Sequence, residues 1–104
     1  MPSKKYRVVI SDRAKEMLGK QIGFLAESDK KQAREKKNGL IKAISSLDIF
    51  PERYPFFNET YIPVNKYHKM FVSKYYLVLY QIQDDILYVD YIVDCRSNYS
   101  WLIR

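Results

Sequence analysis

Residues 75–82 read Tyr75-Tyr76-Leu77-Val78-Leu79-Tyr80-Gln81-Ile82, and residues 86–93 read Ile86-Leu87-Tyr88-Val89-Asp90-Tyr91-Ile92-Val93. Between them stands Gln83-Asp84-Asp85. Each flank is rich in β-branched, aromatic and aliphatic side chains and has the length of a strand rather than a helix. The polar insert is too short for anything but a hairpin turn. Residues 75–82 are apolar on both faces, which marks a central, doubly covered strand. Residues 66–73 alternate more loosely and connect to 75 without room for a crossover. The three runs therefore predict an antiparallel meander.

Working back toward the N-terminus, Pro51 and Pro55 end any helix that approaches them. Residues 49–64 read as a long loop held down by Phe50, Tyr54, Phe56 and Phe57. Before it, Ala33, Leu40, Ile41, Ala43, Ile44 and Leu47 recur at helical spacing, predicting a helix over about 30–48 capped by Ser28 or Asp29. Ala14, Met17, Leu18, Ile22, Leu25 and Ala26 predict another over 12–27, capped by Ser11 or Asp12. Gly19 and Gly23 lower its propensity, and their spacing suggests a close helix contact. The connection between the helices is so short that they form an antiparallel hairpin. Tyr6-Arg7-Val8-Val9-Ile10 is a short strand. Ser97 to Ile103 reads as a short terminal helix, with Trp101 and Leu102 docking on the body.

The expected fold is α+β: an N-terminal strand, an antiparallel helical hairpin, then a three-stranded antiparallel meander forming one sheet. The helices cover one face. The other is free or partly covered by the loop and the C-terminus. A chain of 104 residues fits a single domain over 1–104, large enough for a core without disulfide or metal staples.

The formal net charge is +6, which favours an anionic partner. From Thr60 to Gln83 there is no acidic residue, while Lys66, Lys69 and Lys74 stand among Tyr67, Phe71, Tyr75, Tyr76 and Tyr80. Cations interleaved with aromatics suit a surface that meets phosphates and bases. Cys95 is the only cysteine, so no internal disulfide forms, as expected for a reducing cytoplasm. No apolar run reaches the roughly 20 residues of a membrane helix, and no membrane partner is expected.

Several chemistries fall away. One His and one Cys cannot build a zinc cluster. Gly19, Gly23 and Gly39 are scattered inside predicted helices and form no phosphate-cradling loop. No strand–Ser–helix elbow is present. Neither a metal nor a cofactor is expected. What remains is Lys, Arg and Tyr acting on phosphate. RNA can be cut without a metal when its 2′-hydroxyl attacks the adjacent phosphorus. The protein then needs a proton acceptor, a cation for the extra charge and a proton donor for the leaving oxygen.

Three segments resemble the RelE/ParE superfamily of type II toxin–antitoxin toxins, and the resemblance covers nearly the whole chain. Leu47-Asp48-Ile49-Phe50-Pro51-Glu52-Arg53-Tyr54-Pro55 resembles that family's segment after the second helix. Tyr67-His68-Lys69 leading into Tyr76-Leu77-Val78-Leu79-Tyr80 resembles its strand pair. Asp94-Cys95-Arg96-Ser97-Asn98-Tyr99 resembles its closing strand end. The resemblance implies the family's compact microbial-RNase-like fold. It also implies neutralisation by a small, partly acidic antitoxin.

Two mechanisms are implied. RelE-like members cut mRNA on the ribosome, and ParE-like members inhibit DNA gyrase by protein contact. For the nuclease, Arg96 matches the arginine that holds the scissile phosphate, Tyr99 the terminal tyrosine, and Lys69 a phosphate-binding or proton-accepting lysine. Lys66, Lys74, His68 and Asn98 complete the substrate-binding set. Asn98 stands where the nuclease type has His, and Leu77 where it often has Arg. The leading expectation is a metal-independent endoribonuclease acting on ribosome-bound mRNA. A ParE-like gyrase inhibitor is the alternative, and so is a degenerate member that keeps only antitoxin binding.

Overall fold

The structure is a computed structural model and describes residues 5–58, 63–73 and 76–95. The chain runs β1 (Arg7–Ile10), α1 (Asp12–Ser28), α2 (Lys30–Ser45), β2 (His68–Val72), β3 (Tyr76–Gln83) and β4 (Ile86–Asp94). Two short 3-10 turns, Ser46–Asp48 and Pro51–Arg53, follow α2. The α+β architecture is the expected one, and α2 tightens into a 3-10 turn for the last three residues of the predicted helix. The Ser11 side chain caps α1 by accepting from the Ala14 N–H, and Asp29 caps α2 by accepting from Gln32.

The sheet order is β1-β4-β3-β2. The meander is antiparallel, with Asp84 in the left-handed region at its β3–β4 turn. β1 returns alongside β4 in parallel, from Arg7 opposite Ile86 to Ile10 opposite Val89. The helical hairpin carries the chain from β1 to β2 at the opposite edge, and the meander then brings β4 back beside β1.

β1 stops at Ile10, yet β4 continues to Asp94. Side chains of α1 take over its bare edge: Ser11 Oγ donates to the Asp90 carbonyl at 3.4 Å, and Gln21 Nε2 to the Ile92 carbonyl at 2.6 Å. At the opposite edge, Lys69 N–H donates to the Pro55 carbonyl and Phe57 N–H to that of Tyr67. The predicted long loop is thus packed against β2, with Phe57 buried. Phe50 departs from its predicted anchoring role: it is 64% exposed, with φ of 51°. Arg53 fixes that turn by donating to the carbonyls of Ile49 and Phe50.

The larger core lies between helices and sheet: Ala14, Leu18, Leu40, Ile44 and Leu47 pack on Met70, Val78, Tyr80, Leu87, Val89 and Ile92. A second, smaller cluster occupies the far face, where Leu77, Leu79 and Val93 pack with Phe57 and Tyr67. The centre of that face is therefore covered, while Phe71 beside it stays 59% exposed.

A β-bulge sets what stands there. Leu79 faces Tyr91 but Tyr80 faces Val89, which leaves Asp90 as the extra residue. Strict alternation from Leu87 and Val89 would aim Tyr91 at the helices. The bulge reverses the alternation and delivers Tyr91, Val93 and Cys95 to the far face.

Candidate functional site

On the far face, Tyr67 precedes β2 and donates its hydroxyl to Asp90 Oδ2 at 3.0 Å. Gln81 of β3 donates to the same oxygen at 2.6 Å. The Tyr67 and Tyr91 rings meet edge to face at 5.9 Å. Each ring carries a cation: Lys66 Nζ lies 5.2 Å from the Tyr67 centroid, and the Arg13 guanidinium 4.8 Å from that of Tyr91. Arg13 also donates to the Tyr91 hydroxyl. Burial, then the bond to Asp90 and its negative charge, push the Tyr67 phenol far above the ordinary tyrosine range. It stays protonated at any physiological pH.

Of the residues singled out in the sequence, Lys66 and Lys69 lie on or beside this face. Lys66 is exposed, and Lys69 is half-buried opposite Leu79. Arg96, Tyr99, Lys74 and Asn98 lie outside the described residues, as does the predicted terminal helix. His68, expected in the substrate-binding set, lies elsewhere than Lys66 and Lys69. It points to the helix-covered side and is buried, stacked on Tyr80 at 5.2 Å and tilted against Phe56 at 4.2 Å. Its Nδ1 lies 2.7 Å from the Tyr54 carbonyl. His68 and Lys69 thus face opposite sides of the sheet. Cys95 lies on the far face, and burial, then Asp94, raise its thiol above the usual value. It lies on the opposite side of the sheet from His68.

Sequence reading missed Arg13, Asp90, Gln81 and Tyr91. Arg13 and Tyr91 are 78 positions apart, and the bulge that unites them has no glycine or proline to announce it. The net charge was the one available signal that unpaired cations would gather somewhere.

A separate feature lies between the helices. A groove of about 490 Å³ is lined by Ile10, Leu18, Ile22 and Ile41, with Gly19 and Gly23 on its wall and Lys15 and Lys37 beside them. A Cβ added at either glycine would meet nothing within 4 Å. The expected close helix contact at these glycines is therefore absent; they widen a groove instead. Among the described residues no three His, Cys, Asp or Glu side chains gather as a metal site, and no helix is long and apolar enough to cross a membrane.

A family model described as the ParE toxin of the type II toxin–antitoxin system parDE matches residues 8–99. The chain belongs to the ParE toxin family. A solved structure described as "Chromosomal ParDE TA system from P. aeruginosa" superposes with a TM-score of 0.72, covering 88% of this chain and 98% of that one at 7% identity. At that identity the likeness speaks for the fold. No curated protein matches the sequence. This ParE-family chain is the toxin of a type II pair, and an antitoxin is its partner.

Proposed function

We propose that this toxin acts by gripping a protein target, DNA gyrase, rather than by cutting RNA. Leu77 carries the reading. It stands where RNA-cutting members of the superfamily often carry an arginine, and here it is 1% exposed, packed with Leu79, Val93 and Phe57. An arginine at that place would need a pocket the apolar cluster does not offer. Two other side chains that could move a proton are also committed. His68 is held in the opposite core. Asp90 already accepts two hydrogen bonds. Membership of the ParE family supports the same reading.

Neutralisation follows from the other side of α1. The groove offers an apolar floor with Lys15 and Lys37 beside it, which suits an acidic amphipathic segment of the antitoxin.

The test is a supercoiling assay with purified gyrase, run beside a translation extract in which mRNA is mapped for cuts. Inhibition of supercoiling with intact mRNA supports the proposal. Codon-specific cuts with unimpaired gyrase would sink it. That second outcome is the reading in which Arg96 holds the phosphate, Tyr99 positions a base and Lys69 serves the proton. The specific observation in its favour is the placement of Lys66 and Lys69 on or beside one sheet face.

A further inference from the structure

We propose that Arg13, Tyr91, Tyr67 and Lys66 form the ridge with which the toxin holds a carboxylate-rich segment of its protein target. The inference rests on the protein-target reading and names the surface and the chemistry it selects.

Both cations are exposed, and neither makes an ion pair among the described residues. Among the described lysines, Lys5 pairs with Asp48 and Lys20 with Glu16. Arg13 and Lys66 instead rest on rings that are themselves fixed. Tyr67 is 8% exposed, bonded to Asp90 and wedged against Tyr91. Tyr91 receives a hydrogen bond from Arg13 and contacts Tyr67 edge to face. The cations are thereby pre-positioned, so binding costs less side-chain entropy than free surface lysines would demand. Arg13 uses one donor on Tyr91, and the rest of its planar fork remains for a bidentate acceptor.

The aromatics favour carboxylates over nucleic acid. Base recognition needs a free ring face. Tyr67 is almost fully enclosed, and the guanidinium already lies over the ring of Tyr91. The rings orient cations and leave no platform for a base.

The ridge also lies away from the groove. On α1, Arg13 and Met17 turn toward the far face, whereas Lys15, Gly19 and Ile22 line the groove. One toxin molecule thus has distinct surfaces for target and antitoxin.

The experiment compares wild type with Arg13→Gln, Lys66→Ala and the double variant, all in the full chain. Lys66 is exposed before β2, so its truncation does not put folding at stake, and thermal unfolding checks the other two. Three readouts are taken: gyrase inhibition, affinity for the cognate antitoxin, and anisotropy of labelled octaglutamate and of a single-stranded RNA oligonucleotide. The expected result is inhibition and octaglutamate binding weakened about tenfold or more in the double variant, with antitoxin affinity unchanged. Unchanged octaglutamate binding overturns the ridge. Loss of RNA binding by the same variants, with octaglutamate unaffected, also overturns it and makes RNA the occupant. If wild type leaves gyrase untouched, the gyrase reading falls, while the octaglutamate result still decides the ridge.

Discussion

The two faces of the sheet are built from the same strands to opposite ends. The helix-covered face is a continuous apolar layer from Leu87 and Val89 to Leu40 and Ile44, and two of its rings are bonded to backbone carbonyls within the fold. Tyr80 donates to the Pro51 carbonyl at 2.6 Å, and His68 is bonded to the Tyr54 carbonyl. The far face has an apolar centre in Leu77 and Leu79, then a border of Tyr67, Tyr91, Arg13 and Lys66 whose cations still have donors to offer. The first face holds the fold together. The second keeps only enough apolar packing to fix a charged border, which is where a partner can gain something the monomer does not already have.

The harshest way to break this comparison is to put a charge into the centre of the far face. Leu77→Arg would bury an unpaired guanidinium, at a cost of about 3–5 kcal/mol. Against a total stability of roughly 5–15 kcal/mol, that removes from about a fifth to all of it. Urea unfolding followed by circular dichroism measures the loss. A variant that stayed stable and began to cut RNA would show that the far face is a nuclease floor after all.

A milder pair sharpens the contrast. Tyr80→Phe strands the buried Pro51 carbonyl and should cost about 1–3 kcal/mol. Tyr67→Phe leaves Asp90 its bond from Gln81, so about 1 kcal/mol is expected. Equal losses in urea midpoints would mean that the border is as structural as the core.

The same phenols give a pH signature. Both are held above the ordinary tyrosine value of 10.0, by burial first in each case. Folding therefore favours the neutral phenol. The unfolded chain ionises as pH passes 10 while the folded chain does not, so this stability is fully present below about pH 10 and declines above it. The urea midpoint should fall above that pH in the wild type and fall less steeply when both tyrosines are phenylalanine. Parallel declines would show that other groups govern alkaline unfolding.

Much of this was legible from the sequence, for identifiable reasons. Apolar periodicity located both helices and the meander. Ser11 and Asp29 marked the caps, and the resemblance in residues 47–55, 67–80 and 94–99 pointed to the family. What escaped was whatever depends on register. Asp90 looks like one more polar residue in a strand, and only pairing with β3 shows it as a bulge. Its displacement of Tyr91 then decides which residues share a face with Tyr67. The side that His68 takes depends on register too: one step along β2 separates Lys69, opposite Leu79, from His68, buried against Tyr80. Arg13 gave no local sign, since its meaning lies across the fold at Tyr91.

The smallest expected effect concerns α1, the helix that serves both faces. Gly19 lies in the helix interior without a positive φ, and a methyl there meets nothing within 4 Å. Gly19→Ala should therefore raise stability by about 0.5–1 kcal/mol, because only the unfolded chain loses freedom. A lower melting temperature would mean that the glycine serves a helix contact. Gly19→Leu separates stability from function. Its side chain has room to fold but fills the groove, so antitoxin affinity should drop while gyrase inhibition persists. A Leu variant that loses both together would mean that one surface serves antitoxin and target alike, and the division of α1 between its two sides would have to be abandoned.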